Sequence, residues 1–133
     1  MTEKKLKTLL WLRHLLVVFE YHNDNPDECW EKVMVHLMIA SPQELENDKD
    51  SPLHGIDQEV VINFAEGYMS AIAKYEDIGI ANEKMKDKIK SILMSNLKCS
   101  EESLMKDIKL LHVKTDLMIN GIHIDDTNPI TNN

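Results

Sequence analysis

The chain has 133 residues, 43% hydrophobic and 29% charged, with a formal net charge of −8 and only four glycines and four prolines. That length and mixture specify one helix-friendly globular domain that needs no disulfide or metal to fold, and exclude a disordered or collagen-like chain. The acidic balance opposes generic binding to phosphate backbones and anionic lipids.

Residues 6–19, LKTLLWLRHLLVVF, form a helix too apolar for an ordinary surface and too charged for a membrane span. Arg13 and His14 interrupt what would be the core of a signal peptide, no small-residue cleavage site follows Phe19, and the run is shorter than the roughly 20 apolar residues a bilayer requires. With Thr2 as its cap, this first helix is expected to end near Tyr21. Trp11, Leu12, Leu15, Val18 and Phe19 fill one side of it. Two roles compete for that side: a core wrapped by the other helices, or a surface that meets a partner.

His22-Asn23-Asp24-Asn25 reads as a polar turn. Asn25 then caps a second helix with Pro26 at its first position and Asp27 and Glu28 at the positive end of the dipole. Trp30, Val33, Met34, Leu37 and Met38 form its stripe, and Ser41-Pro42 ends it. Ser41 caps a short third helix with Glu44 at the capping-box position. Residues 47–55 read as loop.

Asp57 caps a fourth helix, with Ile56 and Val61 as a hydrophobic staple. Val61, Phe64, Ala65, Tyr68 and Ile72 make its stripe, widened by Ile62, Met69 and Ala73, and Gly79 is its expected C-cap. A fifth, amphipathic surface helix is expected from Asn82-Glu83, with Met85, Ile89, Ile92, Leu93 and Leu97 on one face and lysines on the other. Ser100 opens the last helix, whose inward residues are Leu104, Ile108, Leu111, Thr115 and Met118, with Asn120-Gly121 as its stop. The reading is all-α, a compact bundle of five main helices plus one short helix: one domain over 1–124 and a mobile tail over 125–133.

Charge is uneven. Residues 44–59 carry a net −5, and residues 83–98 a net +3. Solvated helix faces explain both, and the acidic stretch is also a candidate surface for a basic partner.

Chemical signatures are sparse. The six histidines form no compact ligand pair, and Asp24, Asp27 and Glu28 lack the spacing of a Ca²⁺ loop. Nucleophile elbow, P-loop and dinucleotide fingerprints are absent. Cys29 and Cys99 have no CxxC spacing and fit a reducing, cytoplasmic setting. Cys29 and His36 stand two helical turns apart, about 10 Å, too far to form a pair. No cofactor or metal is expected.

Residues 11–25, WLRHLLVVFEYHNDN, loosely resemble the first helix of small poxviral Bcl-2-like proteins. The likeness covers about a tenth of the chain and assigns no family. What it implies is a compact helical protein acting through a groove or a dimer face.

The expected function is therefore a non-enzymatic protein-interaction module: a regulator, an inhibitor or a small subunit, with a protein partner or a second copy of itself in a homodimer. The candidate docking residues are Trp11, Leu15, Phe19 and Trp30, with Glu44, Glu46, Asp48 and Asp50 as a second, acidic surface. A nucleic-acid role through Lys84, Lys86, Lys88 and Lys90 is the alternative, weakened by the absence of arginine and interleaved aromatics on that face. A dispersed enzyme site using His54, Asp57 and Tyr68 is the third reading.

Overall fold

The computed structural model describes residues 1–119, with side chains through residue 114; the expected stop at Asn120-Gly121, the tail over 125–133, and the side chains of Thr115 and Met118 lie outside the described residues. Six helices follow in order: α1 (Glu3–Tyr21), α2 (Pro26–Ile39), α3 (Pro42–Asn47), α4 (Gln58–Tyr75), α5 (Ile78–Leu97) and α6 (Glu101–Ile119), and there is no strand among the described residues.

Local punctuation explains where most of them start. The Thr2 hydroxyl accepts from the Lys5 amide, Asn25 from Glu28 and Ser41 from Glu44, each satisfying an orphan donor of the first turn. Asp57 accepts from Glu59 and Ser100 from Ser103. Ile56 and Val61 are both buried, as the staple requires.

The start of α5 differs from the sequence reading. Asp77, not Asn82, is its cap, accepting from the Ile80 amide, so the helix begins five residues earlier. Glu76 in the left-handed conformation, φ 52°, ends α4 in place of Gly79. Gly79 instead lies in the first turn of α5, where a Cβ would sit 3.5 Å from the Pro26 ring. Two buried groups explain the shift: Asn82 is held inside the helix by Tyr68 and the Pro26 carbonyl, and Ala81 beside it is fully buried.

Helix α5 is also no surface helix. It packs against α1, α2, α4 and α6. Met85, Ile89 and Leu93 are buried on its inner side, and its lysines line the remaining strip. Helix α1 packs against α2, α5 and α6. An edge-to-face aromatic cluster binds α1 to α4: Trp11 against Phe64 (centroids 6.1 Å), and Phe19 against Phe64 (6.2 Å) and Tyr68 (5.8 Å). Outside the core, Arg13 pairs with Asp107 at 2.9 Å and Tyr21 stacks on His112 at 3.9 Å, fastening α6 along α1. No described helix is long and apolar enough to cross a membrane.

Candidate functional site

Trp11, Leu15 and Phe19 are 2%, 0% and 1% exposed. The side of α1 read as open to a partner therefore faces this chain's own core, because α2, α5 and the aromatic rings of α4 close over it. Leu15 and Phe19 offer nothing to an outside molecule. Trp30 is half-buried and packs against the same core.

Trp11 has a second role. Its indole N–H donates to the His36 carbonyl at 3.3 Å, joining α1 to the last turn of α2, and its edge lines a surface groove of about 310 Å³. Leu10 and His14 of α1, His36 and Ile39 of α2, and Pro52 and Leu53 of the α3–α4 connection complete the walls together with Lys7. An adjoining depression of about 240 Å³ shares Ile39, Pro52 and Leu53 and brings in Glu44 and Asp48. The groove is thus mostly apolar, and the depression that adjoins it carries two acids. Glu46 and Asp50 are exposed and line neither. Val35 and Met38, on the same face of α2 as Ile39, are exposed and extend the apolar surface.

The loop wall is fixed by hydrogen bonds. Lys7 donates to the His54 carbonyl at 2.6 Å, and its charge also meets Glu3 at 3.3 Å. The Asp57 amide donates to the buried Thr8 hydroxyl, which donates in turn to the Lys4 carbonyl. His54 Nε2 donates to the Asp48 carbonyl at 2.7 Å. Gly55, at φ 92°, turns the chain back toward α4 in a conformation that suits glycine. Such a wall is preformed, which lowers the ordering cost of binding.

Two imidazoles line the groove. His14 Nδ1 contacts the Leu10 carbonyl and His36 Nδ1 the Lys32 carbonyl, each at 2.9 Å. A carbonyl only accepts, so Nδ1 carries the hydrogen and Nε2 is the free acceptor on both rings. Burial holds His36 below its ordinary value of 6.5; its bond to Lys32 opposes this, and the nearby His14 and Lys32 charges add to it. The unfolded chain therefore binds this proton more readily than the folded one. The contribution of His36 to stability is complete above 6.5 and is lost as pH falls through the lowered folded value. Urea unfolding between neutral and mildly acid pH should show a steeper loss for the native chain than for His36→Gln; parallel curves would remove His36 from the account.

The other candidate chemistry is dispersed. The Tyr68 hydroxyl is buried against Asn82, Asp57 caps α4 and His54 is tied to Asp48, so these three do not converge. Burial pushes the Cys29 thiol up to about 11, with Glu83 adding to the effect, and its Sγ points at the Val18 carbonyl; it is a packed thiol rather than a nucleophile. No group of three or more His, Cys, Asp or Glu among the described residues is arranged to hold a metal. The lysines of α5 are divided: Lys86 pairs with Glu20 (3.2 Å) and Glu83 (3.7 Å), and Lys90 with Glu101 (2.6 Å), whereas Lys84 lies over the Tyr75 ring.

The groove residues missed in the sequence are Leu10, Ile39, Pro52 and Leu53. One signal was available: Val35, Met38 and Ile39 stand at i, i+3 and i+4, a second apolar stripe on α2 turned away from Val33 and Leu37. No known family model matches the chain, and neither a curated protein nor a solved structure matches it.

Proposed function

We propose that this protein is a non-enzymatic binding module that docks an amphipathic segment of a partner protein in the groove between α1, α2 and the α3–α4 connection. The observation that carries the reading is the preformed apolar channel lined by Leu10, Ile39 and Leu53, with Glu44 and Asp48 lining the depression that adjoins it. Apolar side chains of the partner enter the channel, which supplies most of the affinity, and basic residues at one end of the segment meet the two carboxylates. The net charge of −8 steers a basic partner toward the surface and sets the association rate more than the final affinity. A regulator, an inhibitor or a subunit of a complex would all work in this way. The unclustered thiols of Cys29 and Cys99 support a cytoplasmic setting.

The test uses a fluorescent helical peptide of leucine and lysine and an acidic counterpart of the same apolar pattern. The basic peptide is expected to bind and the acidic one to bind this groove at least about tenfold more weakly. Ile39→Asp should weaken the basic peptide by about tenfold or more, while Glu44→Lys with Asp48→Lys should slow association and flatten its salt dependence. Unchanged affinity in Ile39→Asp sinks the proposal.

A further inference from the structure

A second apolar groove opens on the other side of α1, where α1, α4 and α5 come together. It consists of two adjoining depressions of about 360 and 250 Å³ that share Leu12, Val60 and Ile92. Leu12 of α1, Val60 and Phe64 of α4, and Ile89 and Ile92 of α5 supply the apolar lining. None of them lines the α1/α2 groove.

The charged part of the lining is basic. Lys4 and Lys5 line one depression and Lys88 the other, against a single acid, Asp57. Unlike Lys7, Lys86 and Lys90, these three lysines have no carboxylate partner among the described residues. The Asp57 carboxylate accepts from the Glu59 amide as the cap of α4. Lys88 lies against α4 where Gly67 has no side chain: a Cβ there would sit 3.5 Å from the Lys88 Nζ. The net charge of −8 opposes an acidic partner at a distance. At physiological salt, charges more than about 8 Å away are largely screened, so at contact the three lysines and one acid of the lining decide.

Spacing narrows the occupant further. Asn96 lines the same depression as Lys5, and from Asn96 to Lys88 is about 12 Å along α5. Two acids about two turns apart on a partner helix span nearly that distance, with the apolar residues between them on the same face. We propose that the α1/α4/α5 groove docks an acidic amphipathic helix of a partner protein. Its apolar side chains enter the two depressions, and its carboxylates meet Lys5 at one position and Lys88 at the other. Apolar burial supplies most of the affinity, and the lysines select an acidic segment over a basic one. The inference is independent of the α1/α2 groove, since it needs neither His36 nor Ile39.

The test is titration of a fluorescent helical peptide of leucine and glutamate into the full chain, followed by anisotropy. Saturable binding that weakens as salt rises is expected. Lys5→Glu/Lys88→Glu should weaken it by about tenfold or more, whereas Lys106→Glu/Lys109→Glu, the same charge change on α6 outside both grooves, should alter it by less than about threefold. All four lysines are exposed, so circular dichroism should show unchanged helical content in both variants. A peptide with serine in place of every leucine should bind the native chain at least about tenfold more weakly. Amide shifts of the native chain should move at Leu12, Asn63, Lys88 and Ile92, and Ile39→Asp should leave the acidic peptide's affinity unchanged. No saturable binding, equal losses in the two lysine variants, or equal affinity of the serine peptide overturns the proposal. So does loss of the acidic peptide in Ile39→Asp, which would place it in the α1/α2 groove.

Discussion

Phe19→Ala is expected to lower the unfolding free energy by about 3–5 kcal/mol. The ring is 1% exposed and meets Phe64 and Tyr68 edge-on, so its removal leaves a cavity at the seam between α1 and α4. It also forfeits aromatic contacts that add about 0.5–1.5 kcal/mol each beyond the buried area. A domain of this size is stable by roughly 5–15 kcal/mol. The Trp11→Ser/Phe19→Ser double change is therefore expected to leave the chain largely unfolded. Urea unfolding followed by circular dichroism measures both effects. If these side chains formed a partner surface instead, the double variant would keep its helical content and change only its association state.

The second large effect concerns a buried polar junction between helices. The Tyr68 hydroxyl donates to Asn82 Oδ1, and Asn82 Nδ2 donates to the Pro26 carbonyl at 3.4 Å, joining α4, α5 and the start of α2. Burial pushes the Tyr68 hydroxyl well above its ordinary value, with Cys29 adding to the effect, so it stays a neutral donor throughout the working pH range. Tyr68→Phe leaves the Asn82 oxygen buried without its donor, at a cost of about 1–3 kcal/mol. Asn82→Leu strands the hydroxyl in the same way. In the double variant neither polar group remains in the junction, so its loss should be smaller than the sum of the singles. A thermodynamic cycle on urea midpoints reads the difference. Strict additivity would mean that the two groups are not coupled.

Both sites show how far the sequence carries. Helix starts at Thr2, Asn25, Ser41, Asp57 and Ser100 were legible because a short polar side chain before a helical stripe satisfies backbone donors locally. The start of α5 was not, since Asp77 and Asn82 are equally good caps by type. Only the tertiary environment, with Tyr68 and the Pro26 carbonyl waiting for Asn82, makes one of them an interior residue. The burial of α1 was half legible. Its surplus of apolar residues required cover on several sides, but which side the neighbours leave open depends on helix crossing, and that placed Leu10 and His14 outward instead of Trp11, Leu15 and Phe19.

The candidate site was legible in its two acids and hidden in its apolar walls. Glu44 and Asp48 stood out as charge in a segment with few bases. Leu53 did not, because a single leucine in a loop carries no periodicity, and it becomes a wall only when Lys7 and Thr8 fasten the loop to α1. The exposed half of α2 was masked by its own richness: with apolar residues on both faces, the stripe through Val33 absorbed Met38, which in the fold points outward beside Val35 and Ile39.

We propose the channel between α1, α2 and the α3–α4 connection as the place where this protein meets its partner. Backbone amide chemical shifts recorded while the basic amphipathic peptide is titrated into the isotopically labelled chain test it residue by residue. Perturbations are expected to concentrate at Leu10, His14, His36, Ile39 and Leu53 and to spread to Glu44 and Asp48, with the α4 and α5 face unmoved. Shifts confined to α4 and α5, or spread evenly over the molecule, would contradict it.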